Sequence, residues 1–394
     1  MHTLTSTRVK GIKLSPTLAV TTKASVLKAS GHNVIDLAVG EPDFDTPDHI
    51  KVAAIEAINR GFTKYTAVGG ILGLRQAVVD KFAKDNQLQY EPNQILVSAG
   101  AKQSFYNLFQ AFLNPKDEVI IPAPYWVSYP DMVLLAEAKP VIVFAGIEQQ
   151  FKITPAQLEK AITPKTRLFI LNSPSNPTGA AYTFDELKAL GDVLIKHPPV
   201  FIATDDIYEH IFWGKAPFCN ILNACPDLYP RTMVIHGVSK TYAMTGFRIG
   251  FAAGPLELIQ AMTTIQSQST SNPCSISQIA AQKALQGDQR PVERMVSAFK
   301  ERHDFVIDFL NTIPGFKCLP AEGAFYAFPQ VLNAINRLKM ANDIEFSEFL
   351  LNTTGVAVVP GSAFGAPGYL RISFATSLEN LKEALTRIKN KLGG

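Results

Sequence analysis

The chain has 394 residues, of which 47% are hydrophobic and 18% are charged, and its formal net charge is +3. This length is long for one hydrophobic core, so we expect two domains, and the composition excludes a disordered chain. The near balance of charge excludes an extended basic surface, and we therefore expect neither nucleic acid nor a membrane as a partner.

The cysteines and the N-terminus bear on metal binding and location. Cys219, Cys225, Cys274 and Cys318 form no CxxC pair, so we expect reduced thiols and no metal site. Residues 1–11 lack the apolar run of a signal peptide. No stretch reaches the ~18 apolar residues of a membrane-spanning helix. These features predict a cytoplasmic protein.

Short apolar runs alternate with helical periodicity through the first two-thirds of the chain. The predicted strands are residues 94–98, 118–121, 141–144, 168–171, 200–203, 233–236 and 249–253. A helix is predicted at residues 102–113, directly after a turn of small residues. This alternation predicts an α/β layer with a mainly parallel sheet, in which ligands bind at the carboxyl ends of the strands.

The pattern changes after residue 290. A long charged helix is predicted there, followed by a mixture of further elements: a helix at 290–311, apolar runs at 324–328 and 356–360, a strand at 369–374, and helices at 344–352 and 378–391. These elements predict a smaller α+β unit. The segment up to Asp48 has too few periodic elements to fold alone. The predicted domains are therefore residues 49–290, and residues 1–48 together with 291–394.

The segment from Ser239 to Arg248 carries the strongest chemical signal. Lys240 follows a predicted strand, and Arg248 stands eight residues later in a glycine-containing stretch. A lysine at a strand end can form a Schiff base with a carbonyl, and an arginine among small residues can bind a phosphate. Pyridoxal 5′-phosphate offers both groups. A lone lysine is more often a solvated surface residue, so the rest of the chain must decide.

Polar residues follow two further predicted strands. Asn172 and Asn176 lie in a segment that also contains prolines and a glycine. A plain turn explains the prolines and the glycine, but it explains the two asparagines less well. Asp205 either pairs with a pyridinium nitrogen or caps a helix, and the sequence favours neither. Tyr208, three residues later, can donate a hydrogen bond to a ring oxygen.

Three other segments offer cofactor or substrate contacts. Gly100 and Ala101 begin a predicted helix and can present backbone N–H groups to an anion. Trp126 belongs to an aromatic cluster, in which one ring can stack on a planar cofactor although core packing is the common explanation. Arg371 alternates with apolar residues, which is typical of a solvated strand edge or of a carboxylate clamp.

In this order, the motifs resemble those of the class I, fold-type I pyridoxal-phosphate aminotransferases, and they look most like the bacterial aspartate aminotransferases. The resemblance runs from Ser15 to the C-terminal helix. It is carried by Gly40-Glu41-Pro42-Asp43-Phe44, Tyr65 with Gly69-Gly70, Gly100-Ala101-Lys102, Tyr125-Trp126, Asn176-Pro177-Thr178-Gly179, Asp205-Asp206-Ile207-Tyr208, Ser239-Lys240 with Gly246-Phe247-Arg248, and Arg371. It implies a large domain with a mainly parallel seven-stranded sheet and a smaller α+β domain.

The resemblance also implies a role for each motif residue toward the cofactor. Lys240 would be the Schiff-base lysine and proton shuttle, Asp205 would pair with the pyridine nitrogen, and Tyr208 and Asn176 would hold the ring oxygen. The remaining cofactor contacts would come from Trp126 on the ring face, from Arg248, Gly100 and Ala101 at the phosphate, and from Tyr65 of the partner subunit. Sites shared in this way imply a homodimer.

Toward the substrate, the resemblance implies that Arg371 clamps the α-carboxylate, with help from Asn176, Trp126 and the Gly40 backbone. Ser15, Thr17 and Lys102 match residues that bind the distal carboxylate in one bacterial subgroup. The implied reaction is therefore ping-pong transfer from L-aspartate to 2-oxoglutarate, giving oxaloacetate and L-glutamate.

Alternatives follow from the same scaffold. Similar residues occur in relatives that transaminate prephenate, so a prephenate, aromatic or dual aspartate/prephenate aminotransferase is an alternative, as are an alanine aminotransferase and a lyase. A non-catalytic regulator is disfavoured, because the matching pattern begins by Ser15. Two positions depart from the pattern: Gly237, where some relatives have a phosphate-binding serine, and His236, where close relatives usually have asparagine.

Overall fold

The computed structural model describes residues 4–12 and 16–393, with side chains described from residue 20 onward in the second range. The helices are α1 (Thr7–Lys10), α2 (Pro16–Ala29), α3 (Asp48–Asn59), α4 (Leu72–Asn86), α5 (Ala101–Phe112), α6 (Ser128–Leu135), α7 (Pro155–Ala161), α8 (Phe184–Ile195), α9 (Ile221–Ala224), α10 (Leu256–Ser269), α11 (Ser275–Gln286), α12 (Arg290–Leu310), α13 (Leu332–Arg337), α14 (Asp343–Thr354) and α15 (Leu378–Gly393).

The strands are β1 (Ile35–Asp36), β2 (Ile95–Ser98), β3 (Glu118–Ala123), β4 (Lys139–Phe144), β5 (Thr166–Asn172), β6 (Phe201–Asp205), β7 (Thr232–Gly237), β8 (Gly250–Ala253), β9 (Tyr326–Ala327), β10 (Val356–Ala357), β11 (Val359–Pro360) and β12 (Leu370–Ser373). Short 3₁₀ helices lie between several of these elements, one of them at Thr245–Phe247. All seven strands predicted before residue 290 are present, with ends that differ by one or two residues.

Seven strands form one sheet in the order β2-β8-β7-β6-β5-β3-β4. All neighbours are parallel except β8, which is antiparallel to both β2 and β7. The predicted mainly parallel α/β sheet is therefore confirmed. Asn172 pairs with Asp205 across β5 and β6, so the polar residues that follow these strands reach the same edge of the sheet.

Except at the edge strand β4, both faces of this sheet are covered, and its residues alternate between two cores. In β2, Ile95 and Val97 pack into one cluster, while Leu96 packs into the other. Coverage of both faces explains why the strands are short, continuous apolar runs, as is typical of parallel sheets. The polar side chains at the strand ends are then the residues left to line a site.

The C-terminal part has its own core and two small sheets. β11, β12 and β9 form an antiparallel sheet, and α12 packs on it with buried residues at helical spacing, among them Met295, Phe299 and Val306. The N-terminal segment joins this unit, because β1 pairs with β10 and the Leu37 carbonyl accepts a hydrogen bond from the Ser373 amide (2.8 Å). The domain boundaries at residues 48 and 290 stay a prediction.

Within the described ranges, no helix combines the length and the apolar character needed to cross a membrane.

Candidate active site

A cavity of about 450 Å³ opens where the carboxyl ends of β5, β6 and β7 face the C-terminal unit. Residues from both units and from the N-terminal segment line it. Ten of the residues predicted for a site are among them: Gly40, Ala101, Lys102, Trp126, Asn176, Asp205, Tyr208, Lys240, Arg248 and Arg371. Tertiary folding thus brings together side chains that stand more than 300 residues apart in the sequence.

Lys240 lies in the turn after β7, with its amine directed into the cavity. Its Nζ donates a hydrogen bond to the Gly40 carbonyl, a neutral partner. Enclosure by the cavity walls, with a further contribution from the charge of Arg371, lowers the pKa of Lys240 to about 8. The amine is therefore much closer to its neutral, nucleophilic form than an exposed lysine.

Asp205 ends β6 and is buried at the floor of the cavity. The Tyr129 hydroxyl donates to its Oδ2, and the Ile207 amide donates to its Oδ1 at 3.3 Å. Burial raises the pKa of Asp205 to about 6, although the Tyr129 hydrogen bond opposes the shift. Residues 207–210 form turns rather than a helix, so the helix-capping interpretation of Asp205 is wrong, although the side chain does bond its own turn.

Arg248 and Gly100 form a tight, cationic cradle beside the first turn of α5. Arg248 adopts a left-handed backbone conformation (φ 55°) and donates to the Thr245 carbonyl at 2.8 Å. A Cβ at Gly100 would overlap the Arg248 guanidinium, and a Cβ at Gly250 would overlap the peptide between Gly100 and Ala101. Because neither glycine has a side chain, the Arg248 guanidinium can lie close to the N-terminus of α5. This arrangement suits a phosphate.

Gly237 has a structural reason to lack the serine of some relatives. A Cβ there would lie 3.0 Å from both the Gly250 Cα and the Ile249 carbonyl oxygen. The antiparallel pairing of β7 with β8 therefore leaves little room for a side chain at this position. Ser239, which lines the cavity, is the nearest hydroxyl in the sequence.

Arg371 lies in β12 with only 2% of its surface exposed, so the solvated-edge interpretation is wrong. Its Nη2 donates to the Ala38 carbonyl (2.7 Å) and its Nη1 to the Asn176 side-chain oxygen (3.1 Å). The rings of Tyr326 and Phe364 lie 4.5 and 5.0 Å from its Cζ. Its Nε has no hydrogen-bond partner among the described residues. A buried guanidinium held only by neutral groups suits an incoming carboxylate.

Lys102 and Trp126 form the wall next to α5 and α6. The Lys102 amine lies 5.1 Å from the centre of the Trp126 ring, and both residues line the cavity. Burial, and then the charge of Arg248, lower the pKa of Lys102. The Lys102 amine lies in the same cavity as the Arg371 guanidinium.

Four predicted site residues are not among the lining residues. Gly100 lies directly behind Ala101 in the cradle. Tyr65 is 92% exposed on the surface of the chain. Ser15 falls outside the described residues, and the Thr17 side chain is likewise not described, although Thr21, one turn further along α2, lines the cavity.

Two tyrosines that were not predicted from the sequence hold the predicted residues in place. Tyr129 bonds Asp205, and Tyr326 lies 3.0 Å from the Tyr208 hydroxyl, oxygen to oxygen. Tyr129 belongs to the same aromatic cluster as Trp126, but nothing in the sequence marks Tyr326, which simply continues an apolar run. Contact with Tyr208 spans 118 residues of sequence, and only the fold reveals it.

A second cluster of ionisable groups lies next to the site but outside the cavity. Glu209, His210 and His236 approach one another closely enough to hold a metal ion. The Lys81 amine lies 2.6 Å from the Glu209 carboxylate and already supplies the positive charge there. Burial alone would raise the pKa of Glu209, but Lys81 and the two histidines outweigh it and hold the pKa well below its usual value.

His236, the unusual residue before Gly237, belongs to this second cluster. Its Nδ1 accepts a hydrogen bond from the Gly237 amide (2.6 Å), which places the ring proton on Nε2, 3.2 Å from the Glu209 carboxylate. Burial, together with the charge of Lys81, lowers the pKa of His236 to about 4, so the ring is neutral. The ring also stacks on Phe251 at 5.4 Å between centres.

Comparison with known proteins agrees with this geometry. A family model described as aminotransferase class I and II matches residues 32–388. The chain belongs to this family. The predicted class I, fold-type I aminotransferase family is therefore confirmed, and enzymes of this family use pyridoxal phosphate.

Individual relatives resemble the chain over its whole length. It is 60% identical to an aspartate/prephenate aminotransferase of Nitrosomonas europaea, covering 98% of this chain and 99% of that protein. It is 52% identical to an aspartate aminotransferase of Geobacillus stearothermophilus, covering 97% of each. The crystal structure of the aspartate aminotransferase from Rhizobium meliloti matches with a TM-score of 0.95 and 45% identity, over 100% of this chain and 99% of that one.

Proposed function

We propose that this aminotransferase transfers the amino group of L-aspartate to 2-oxoglutarate, forming oxaloacetate and L-glutamate. The observation that carries the proposal is one cavity that is lined by Lys240 and, besides Arg248 of the cradle, by the cationic side chains of Arg371 and Lys102. Two cations suit a substrate with two carboxylates, and both proposed substrates have two. The names of the relatives from Geobacillus stearothermophilus and Rhizobium meliloti support the same reaction.

The residues around Lys240 fit pyridoxal phosphate by their chemistry. The phosphate would lie in the cradle of Arg248, Gly100 and Ala101, where added Cβ atoms would overlap existing groups. The ring would be held by Asp205 at its nitrogen, by Tyr208 and Asn176 at its oxygen, and by Trp126 on one face. When bound, this cofactor supplies an aldehyde that condenses with amines and a ring that accepts electrons from the α-carbon of the substrate.

Lys240 would both anchor the cofactor and act as the base. Because its pKa is about 8 rather than 10.5, about a tenth of the amine is neutral at pH 7, far more than for an exposed lysine, and this form can take the substrate α-proton. Asp205, with a pKa of about 6, is mostly ionised under the same conditions and would keep the ring nitrogen protonated. The Tyr129 hydroxyl fixes the orientation of this carboxylate.

Arg371 would orient the substrate by its α-carboxylate. The guanidinium is already fixed by Asn176 and the Ala38 carbonyl, so little side-chain freedom is lost on binding. Lys102 would take the distal carboxylate, and Ser15 and Thr17 are proposed to contribute to the same contact. Since one cavity serves both half-reactions, the amino acid and the oxo acid would enter in turn, in ping-pong order.

Prephenate is a second candidate amino acceptor. It carries a carboxylate in addition to that of its 2-oxo acid group, which the same pair of cations can bind, and the Lys102 amine lies beside the aromatic Trp126. The Nitrosomonas europaea relative is named for both substrates. Dual aspartate/prephenate activity is therefore the alternative that the two cations and the name of this relative support.

We also propose a homodimer whose subunits share their sites. Val52, Ile55 and Ile58 form an exposed apolar stripe on α3, and Tyr65, in the loop that follows, is 92% exposed. Such a face suits a second copy, and Tyr65 would then reach the partner's phosphate site.

The four cysteines form no disulfides. This fits a reducing compartment, and we propose that the protein is located in the cytoplasm.

The test is steady-state kinetics of Lys102→Ala with three substrates. We expect KM for aspartate and for prephenate to rise by roughly tenfold or more, because a partly buried charge-assisted contact is lost, while turnover of phenylalanine changes little. Lys160→Ala, which removes an exposed lysine of α7, is the matched control and should leave all constants unchanged.

Two results would contradict the proposal. Unchanged aspartate kinetics in Lys102→Ala would exclude Lys102 as the contact for the distal carboxylate. A wild-type protein that gains no visible absorbance when incubated with pyridoxal phosphate would remove the cofactor assignment.

A further inference from the structure

Tyr326 lies at the junction between the cofactor side and the substrate side of the cavity. It is fully buried in β9, and its hydroxyl oxygen lies 3.0 Å from the hydroxyl oxygen of Tyr208. Its ring lies 4.5 Å from the Arg371 Cζ. A Cβ at Gly40 would come within 3.4 Å of the Tyr326 hydroxyl, so this group also lies against the loop that receives the Lys240 amine.

The backbone fixes Tyr326 and Arg371 relative to each other. β9 and β12 are antiparallel neighbours, with Tyr326 opposite Ser373 and Ala327 opposite Ile372. Arg371 lies two residues before Ser373 on the same strand, and the Phe364 ring also lies against its guanidinium, 5.0 Å from Cζ. A shift of Tyr326 therefore moves the wall against which Arg371 lies.

The hydrogen bond between the two tyrosines has a required direction once Tyr208 contacts the cofactor. A phenol carries one proton, so a Tyr208 hydroxyl that donates to a ring oxygen must accept from Tyr326. Burial raises the pKa of Tyr326 above its usual value, although the charge of Arg371 opposes this, so the hydroxyl keeps the proton that it donates. Donation to Tyr208 polarises its O–H group and strengthens the next hydrogen bond in the chain.

We propose that Tyr326 is a positioning residue with two separable functions: its hydroxyl orients the Tyr208 proton toward the cofactor, and its ring holds Arg371 in place for the substrate carboxylate. This inference rests on the proposed function, because it takes Tyr208 as a cofactor contact and Arg371 as a substrate contact. It adds a residue that couples the cofactor contact to the substrate contact. Tyr326 is 118 residues from Tyr208 and 45 residues from Arg371 in the sequence.

The test compares Tyr326→Phe with Tyr326→Leu in the holoenzyme. Tyr326→Phe keeps the ring and removes the hydroxyl. Without the Tyr326 hydroxyl, Tyr208 is no longer polarised and its hydrogen bond to the ring oxygen of the cofactor is weaker. We therefore expect the pH midpoint of the bound cofactor's visible absorbance to rise by about half a unit. The dissociation constant of maleate, an unreactive dicarboxylate, should stay within about twofold of wild type.

Tyr326→Leu removes the ring as well. In this variant, the maleate dissociation constant should rise by roughly tenfold, since a desolvated ring–guanidinium contact is lost, in addition to the change in absorbance. KM for aspartate should rise with it. Tyr182→Phe is the matched control: the Tyr182 hydroxyl is also buried and accepts from the Ile153 amide (3.0 Å), and its loss should move neither readout.

The outcomes separate this inference from the proposed function. A wild-type protein that binds cofactor and turns over aspartate, combined with a Tyr326→Phe variant of unchanged absorbance midpoint, would overturn the role of the hydroxyl alone. Equal maleate affinity in Tyr326→Phe and Tyr326→Leu would overturn the role of the ring. Absence of cofactor absorbance in wild type would instead overturn the proposed function.

Discussion

Two clusters of buried ionisable groups lie side by side at the ends of β6 and β7, and they are built differently. The first is the cluster of Glu209, His210 and His236 with Lys81, which we call the closed cluster. Its Lys81 amine lies 2.6 Å from the Glu209 carboxylate and 2.7 Å from the Asn86 side-chain oxygen. The cavity cluster contains Lys240 and Asp205. There the Lys240 amine bonds a backbone carbonyl, and Asp205 accepts from a hydroxyl and an amide.

The pKa directions reflect this difference. In the cavity cluster, burial moves the pKa of Lys240 down to about 8 and that of Asp205 up to about 6, so both groups shift toward their neutral forms. In the closed cluster, the charge of Lys81, together with the two histidines, overcomes burial and keeps Glu209 ionised. Groups that are buried without a direct counter-charge and that face a cavity are poised for a ligand, whereas a compensated pair stabilises the fold.

Replacing the two lysines by the same residue gives the largest expected contrast. Lys240→Met should reduce transamination by roughly 10⁴-fold, because the base and cofactor anchor are lost. The free energy of unfolding of the cofactor-free protein should not fall, since a buried amine without a direct counter-charge is removed. Turnover with aspartate and urea unfolding measure the two effects, and appreciable residual turnover would exclude Lys240 as the base.

Lys81→Met should instead act on stability. It leaves Glu209 buried without its counter-charge, and we expect the free energy of unfolding to fall by about 3–5 kcal/mol. Urea unfolding of the cofactor-free variant measures this loss. Adding Glu209→Gln to Lys81→Met should restore part of it, because the uncompensated charge is then gone. If the double variant is no more stable than Lys81→Met, the closed cluster does not act through charge compensation.

A smaller expected effect is the pH dependence of the Lys240 reaction with the cofactor. The rate of cofactor attachment should level off above about pH 8 and fall tenfold per pH unit below it, because only the neutral Lys240 amine attacks the aldehyde. Stopped-flow absorbance measures this rate, with n-butylamine as the control for ionisation of the cofactor itself. A profile that still rises toward pH 10.5, as for a free amine, would contradict the lowered pKa.

The same shift has a consequence for stability. Between about pH 8 and 10.5 the unfolded chain binds more protons at Lys240 than the folded chain does, so the cofactor-free protein should become more stable as pH rises through this window. Lys240→Met should remove this contribution, whereas the control Lys160→Ala should keep it. An identical pH dependence in wild type and Lys240→Met would contradict the assignment.

Local patterns in the sequence were sufficient for the sheet and for much of the cavity. Strands buried on both faces are continuous apolar runs, and polar residues at their carboxyl ends meet at one edge, so the sequence pattern alone predicts that Lys240, Asp205 and Asn176 lie together. The helix of residues 290–310 was equally clear, because its apolar residues repeat at helical spacing.

Burial and long-range pairing were decided only by the tertiary structure. The alternation of polar and apolar residues around Arg371 fits an exposed strand edge as well as a carboxylate clamp. The tertiary structure shows that only 2% of the Arg371 surface is exposed, with the Tyr326 and Phe364 rings packed against the guanidinium. The pairing of Lys81 with Glu209 spans 128 residues. The sequence by itself determined which residues can carry the chemistry. Their burial, and hence their pKa values, depends on what packs against them from distant parts of the chain.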